Sequence, residues 1–208
     1  NDGTADGETK ISNNLTIRIN YAPTHAAPIL NSTFGTNLTS ENITVYNIST
    51  ADENGDAVKN IFNWFRNNTP IAVANLLFEG GSTALFTRDY SSLDNNGSVS
   101  GAIWNANGGY DGFGAYVFSG TGANNITLTN SPSLNITGNQ LTLEAWIYPE
   151  GPASFKQIIA RAAGTDTTQR QYGLYVHSAG TLGFEVRTAN GLGDNNFGTI
   201  ANNTWTHV

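Results

Sequence analysis

The pattern that most constrains this chain is an alternation of apolar and polar residues with a period of two, repeated in short runs that turn residues interrupt. Leu141-Thr142-Leu143-Glu144-Ala145-Trp146-Ile147-Tyr148 sets Leu141, Leu143, Ala145 and Ile147 on one side of an extended backbone, because successive side chains of a strand point to opposite faces. Ile43 to Ile48 alternates in the same way, as does Leu15 to Ile19 before the break at Ala22-Pro23. Tyr172 to Val176 and Leu182 to Val186 flank Ser178-Ala179-Gly180, the arrangement of a hairpin. Helical spacing is nearly absent. Its best instance, Val58, Ile61, Phe62 and Phe65 within Ala57 to Phe65, lies in a segment so rich in β-formers that a strand is the expectation.

Composition points the same way and narrows the partners. Charged residues make up only 12% of the 208, so solubility rests on Asn, Ser, Thr and Gly, and 23 glycines against 6 prolines suit many tight turns. A net charge of −7 lacks the basic footprint of a nucleic-acid-binding protein, and it disfavours an anionic membrane surface. The longest apolar run, Ile71 to Phe78, is interrupted by Asn75 and is too short to span a bilayer. No cysteine is present, which rules out a disulfide framework or a thiolate metal site in this sequence. Of the 28 asparagines, ten begin an N-x-S/T sequon: Asn14, Asn31, Asn37, Asn42, Asn47, Asn67, Asn96, Asn125, Asn135 and Asn202. That exceeds chance and points to an N-glycosylated protein outside the cell, although Asn/Thr-rich strands also generate sequons by accident.

Several further motifs, in order, carry a family resemblance. They are Leu77-Phe78-Glu79-Gly80, Asp89-Tyr90-Ser91-Ser92, Asn95-Asn96-Gly97-Ser98-Val99, Phe113-Gly114-Ala115-Tyr116-Val117-Phe118-Ser119-Gly120, the Leu141 to Ile147 strand, and Trp205-Thr206-His207-Val208. Together they resemble a laminin-G-like (concanavalin-A-like) jelly roll. In that family more strands follow the W-x-H-V strand. The resemblance therefore implies either a slice of a longer chain or strands completed by a neighbour. Asp2-Gly3-Thr4-Ala5-Asp6-Gly7-Glu8-Thr9, and Thr50 to Asp56 leading into Asn63-Trp64-Phe65, resemble Ig-like or cadherin-like repeats of microbial surface proteins. The resemblance implies an all-β chain in four parts: 1–22, the terminal strand of a preceding Ig-like module; 23–28, a Pro-bounded linker; 29–75, the opening strands of an Ig-like module; and 76–208, the laminin-G-like jelly roll, incomplete at its C-terminus.

The chemistry is sparse. Glycoside hydrolysis needs two carboxylates flanking one cleft, and no strand carries Asp or Glu at i, i+2 or i+4; Glu144 and Glu185 each stand alone. His25, His177 and His207 lie near no nucleophile elbow and have no zinc-type spacing. The expectation is no catalytic residue and no enzyme. Calcium is the one cofactor the loops suit, since it takes oxygen ligands from carboxylates, amides and carbonyls. Asp52, Asn54 and Asp56 alternate around Gly55, either as such ligands or, preferably, as a turn whose side chains cap the backbone. Asp89, Asp94 and Asn95, with Asn96, occupy a loop where laminin-G-like domains often hold calcium, but Ser119 to Asn125 lacks the acidic residues common there in the family.

For carbohydrate, the candidates are Tyr110, Asp111 and Trp104, in and beside the polar Asn107 to Gly112 loop, with Phe113, Tyr148 and Phe197 as further aromatics in loops or at strand ends. Trp146 and Trp205 are expected to be core, where aromatic residues dominate buried area. The leading functional expectation is a non-catalytic adhesin or stalk protein at the cell surface. Its partners would be other copies of itself, neighbouring modules of a longer chain, carbohydrate or another cell surface. The alternatives are a filament subunit joined by strand exchange and a carbohydrate-binding module of a larger enzyme.

Overall fold

A computed structural model describes residues 19–79, 81–120, 124–151, 155–162 and 170–208. The chain divides between Phe62 and Asn63 into two compact units. Among the described residues the only helical element is a single 3-10 turn, Pro132–Leu134, and the fold is all-β, built from small open sheets in keeping with a sandwich or jelly roll.

In the first unit, β1 (Ile29–Ser32) pairs antiparallel with β2 (Ile43–Tyr46). Upstream, Thr24 bridges Ala51, and the chain from Ile19 to Tyr21 is held by one side chain. Asn54 donates from Nδ2 to the Ile19 carbonyl at 2.7 Å and accepts the Tyr21 N–H on Oδ1 at 2.7 Å, standing in for a strand residue. Ile29, Leu30 and Ile43 remain exposed. The expected strand Leu15 to Ile19 falls almost wholly outside the described residues, and Ile19 itself is in no strand. Ala57 to Phe65 is not the expected strand. It runs without ladder partners until Phe65, where the second unit's first hairpin begins.

That hairpin joins β3 (Phe65–Arg66) to β4 (Thr69–Pro70) through Asn67 and Asn68, both in the left-handed region at φ 50° and 62°. Two residues with positive φ are what a type I′ turn demands, and Asn tolerates them. Next, β5 (Phe86–Thr87), β6 (Gly97–Ser100) and β9 (Asn125–Leu128) form a three-stranded sheet in the order β5-β6-β9. Between β6 and β9, β7 (Ile103–Asn105) pairs with β8 (Ala115–Val117). Val99, Ala102 and Tyr116 are the buried centre of this region, with Phe78, Trp104 and Ile126 packed around them. Tyr116 keeps its hydroxyl satisfied by donating to the carbonyls of Thr83 (2.7 Å) and Phe86 (2.9 Å). Gly114 lies so close to the Phe78 carbonyl that a Cβ there would sit 1.9 Å from the oxygen, so this strand entry needs glycine.

The rest of the unit makes two facing layers. In one, β10 (Trp146–Ile147) pairs with β15 (Thr206–His207), and Ala145 and Val208 exchange both backbone hydrogen bonds at 3.0 Å. The other is a four-stranded antiparallel sheet of β11 (Lys156–Ala162), β12 (Arg170–Val176), β13 (Thr181–Thr188) and β14 (Gly191–Thr199), in sequence order. Leu141, Leu143 and Val208 face Leu174, Leu182, Phe184 and Phe197 across an apolar groove of about 290 Å³. The expected alternation of Leu141 to Tyr148 is present in burial: odd positions are half-buried and even positions exposed, although only two residues form a ladder. The expected hairpin is also present, with β12 and β13 in register from Tyr172↔Val186 to Val176↔Leu182 and a turn closed by the Gly180 N–H on the His177 carbonyl.

Candidate functional site

The phase of the Leu141 to Tyr148 alternation sends Trp146 outward, 47% exposed, and Tyr148 with it at 41%. This overturns the core assignment for Trp146. The strand's apolar phase is Leu141, Leu143, Ala145 and Ile147, and Trp146 belongs to the other face. Trp205 is half-buried. Across the ladder Trp146 pairs with His207, whose ring centroid lies 5.1 Å from its own.

Tyr110 reaches the same face from the loop between β7 and β8. Its ring stacks on Trp146 with centroids 3.7 Å apart and planes 9° from parallel, and Trp205 meets it edge-on at 6.5 Å. Tyr148 extends the strip beside Trp205 at 5.5 Å. Tyr110 nonetheless stays 57% exposed. Its loop is shaped locally. Asn105 accepts the Asn107 N–H, Asp111 Oδ1 accepts the Phe113 N–H at 3.2 Å, and Gly112 takes φ 82°. Glu144 stands 3.7 Å from His207 at the edge of the strip, both side chains largely exposed.

Trp104 does not join them. Its indole N–H donates to the Phe78 carbonyl at 2.8 Å and its ring packs on the Val99–Tyr116 core. Tyr110 lies on the aromatic strip and Asp111 shapes its loop, while Trp104 belongs to the interior. Sequence reasoning missed Trp146 and Trp205 as surface partners, while Tyr148 was among the aromatic candidates. The readable signal was that Trp146 and Tyr148 share the polar phase of their strand with Glu144.

Asp89 is deeply buried, 4% exposed, and its carboxylate accepts four hydrogen bonds. Oδ1 takes the N–H groups of Asn75 (2.8 Å) and Ser91 (2.9 Å), and Oδ2 takes the Ser91 hydroxyl (2.6 Å) and the Asn95 N–H (2.9 Å). Asn95, also buried, donates to the Val73 carbonyl and to Ser133 Oγ, and Asn96 accepts the Asp89 N–H. Asp94 is exposed with φ 55°. The loop is a clasp on its own backbone, with the lone pairs of Asp89 already aimed at donors.

Asp52 behaves similarly at the surface. Its Oδ1 accepts the N–H groups of Asn54 and Asp56, an Asx turn. Among the described residues no three His, Cys, Asp or Glu side chains form a group that could hold a metal ion. Of the nine described sequon asparagines, eight are exposed; Asn96, in the clasp, is drawn inward.

On the inner sheet Arg170 donates from Nη1 to Glu185 at 2.6 Å, and the Tyr175 hydroxyl donates to Asp194. Burial first, then the neighbouring Asp194 and Glu185 carboxylates, push the Tyr175 phenol well above its ordinary pKa of 10.

Residues 119–208 match the family model of the concanavalin A-like lectin/glucanases superfamily. This stretch of the chain is laminin-G-like. No curated protein and no solved structure matches the chain. The laminin-G-like segment contains Trp146, Tyr148, Trp205 and His207, whereas Tyr110 comes from outside the matched residues. Domains of this kind are, broadly, carbohydrate- or adhesion-type modules.

Proposed function

We propose that this protein is a non-catalytic recognition module at an extracellular surface, contacting carbohydrate through the Tyr110–Trp146–Trp205–Tyr148 strip. The observation that carries the reading is the near-parallel stack of Tyr110 on Trp146 with both rings about half exposed. Folding buries large aromatic surface wherever it can, so a cluster left open on one face is surface reserved for a ligand. Aromatic faces suit the C–H face of a sugar ring, and Asp111, Glu144 and His207 border them with polar groups. The exposed sequons support an extracellular setting, and the lack of paired carboxylates on any one of the described strands supports a non-catalytic role.

The test is a glycan array followed by titration of tryptophan fluorescence. Wild-type protein should bind at least one glycan class with micromolar to millimolar affinity. Tyr110→Ala and Trp146→Ala should each weaken binding about tenfold or more, the equivalent of ~1.4 kcal/mol, while Trp104→Phe should not. Absence of binding to any glycan at millimolar concentration would end the reading.

A further inference from the structure

The two outer edges of the four-stranded sheet differ in kind. Along β11, Lys156 and Arg161 stand on the strand, and its register is broken between Gln157 and Ile159 and again between Arg161 and Ala162. Lysine and arginine, and irregular register, are the devices that keep an edge from pairing with another chain. The β14 edge has neither lysine nor proline, its nine residues are all exposed, and its one register shift against β13 falls at Gly198, beyond the regular stretch from Gly191 through Phe197. Every second residue of such a strand turns its N–H and C=O outward. Leu192 and Phe197 on it are 48% and 53% exposed.

We infer that β14 is an interface for a second copy of this chain, paired antiparallel about a twofold axis through Asn195. The sequence of the edge chooses both the occupant and the register. With the axis at Asn195, Gly193 lies opposite Phe197 of the second copy, Asp194 opposite Asn196, and Asn195 opposite itself. The two Phe197 rings then each cover a glycine, the known remedy for glycine on a strand, and each Asp194 faces an amide rather than a charge. Shifting the axis by one residue to Asp194 sets two carboxylates directly opposite, which destabilises a strand pair. The edge is thus self-complementary in size and charge at one register. A pairing of this kind is isologous, so it closes at two copies and does not propagate as head-to-tail strand donation would.

The experiment is sedimentation velocity on the full chain at about 0.1 mM, a concentration suited to small, weak interfaces. Wild type should sediment as a monomer–dimer mixture without larger species. Asn195→Lys and Asn195→Asp, at an exposed position, should each be monomeric, because each sets like charges across the axis. Both should keep the wild-type circular dichroism spectrum and Tm. Mixed in equal amounts, the two variants should regain the dimer, Lys against Asp. A monomeric wild type, dimers that survive both substitutions, or a mixture that stays monomeric would each overturn the inference. Polymers growing with concentration would do so as well, in favour of head-to-tail assembly.

Discussion

The Asp89 loop and the Tyr110 loop use similar residues to opposite ends. Both are short, rich in Asn, Asp and Gly, and turned by an aspartate that accepts backbone N–H groups. Around Asp89 four donors converge on one buried carboxylate. Asp111 itself is exposed and its Oδ1 accepts the Phe113 N–H within the turn, and the loop's aromatic residue is left on the surface against Trp146. A polar loop can therefore be a structural clasp or the support of a recognition surface. What decides is where its donors find acceptors.

The largest effect expected from breaking this contrast is at Asp89. Asp89→Ala strands the three N–H groups and the hydroxyl that converge on this buried site, and should cost about 3 kcal/mol or more, measured by urea unfolding. Asp111→Ala in parallel should cost little, and a comparable loss at both positions would erase the distinction. If Asp89 were instead a calcium ligand, added calcium would raise the Tm of wild type and not of Asp89→Asn; the expected result is no calcium-dependent shift in either.

A second test uses a buried polar group on the inner sheet. The folded state holds the Tyr175 phenol neutral above its unfolded pKa of 10. Its contribution to stability is therefore complete below about pH 10 and lost as pH rises beyond that. Wild type should lose stability steeply in that range by denaturant titration. Tyr175→Phe, about 1 kcal/mol less stable at neutral pH from the lost hydrogen bond, should show a shallower alkaline decline.

Smaller still is the effect of Tyr110→Ala on stability. Removing an exposed stacked ring should cost ~1 kcal/mol, well below its effect on glycan binding. Asp111→Ala is expected to lie within about 0.5 kcal/mol of wild type by thermal melts, in line with surface substitutions generally. A Tyr110→Ala variant as unstable as Asp89→Ala would mean the aromatic strip is part of the core.

How much of this was legible in the sequence depends on whether the information is local. The alternation of Leu141 to Tyr148 fixes which side chains share a face, and the hairpin from Tyr172 to Val186 needs only neighbouring strands and a Gly turn. β14 was not legible, because Gly-Leu-Gly-Asp-Asn-Asn-Phe-Gly-Thr has no β-forming run and is extended by pairing with β13 rather than by its own preference. The stretch Ala57 to Asn63 shows the converse, β-forming residues that join no ladder among the described residues. At the site, Tyr110 and Asp111 could be found from a polar loop with one aromatic. Trp146 was misplaced because large aromatic residues are usually interior, a generality that overrode its strand phase. The roles of Asp89 and Asn95 could not be read at all. An Asx-rich loop offers the same oxygens to a cation and to its own backbone, and only the positions of Asn75, Ser91 and Ser133 separate the two.

Tyr110, Trp146 and Trp205 meet only because the β7–β8 loop and the short β10–β15 ladder are held in place together. Two ladder pairs and the flanking Ala145–Val208 exchange secure one side of that meeting. The stack is thus a built-in optical gauge. Its indole emission should change as soon as this ladder frays, ahead of any loss of the larger sheet, and a molecule seated on the rings would report itself by delaying that change.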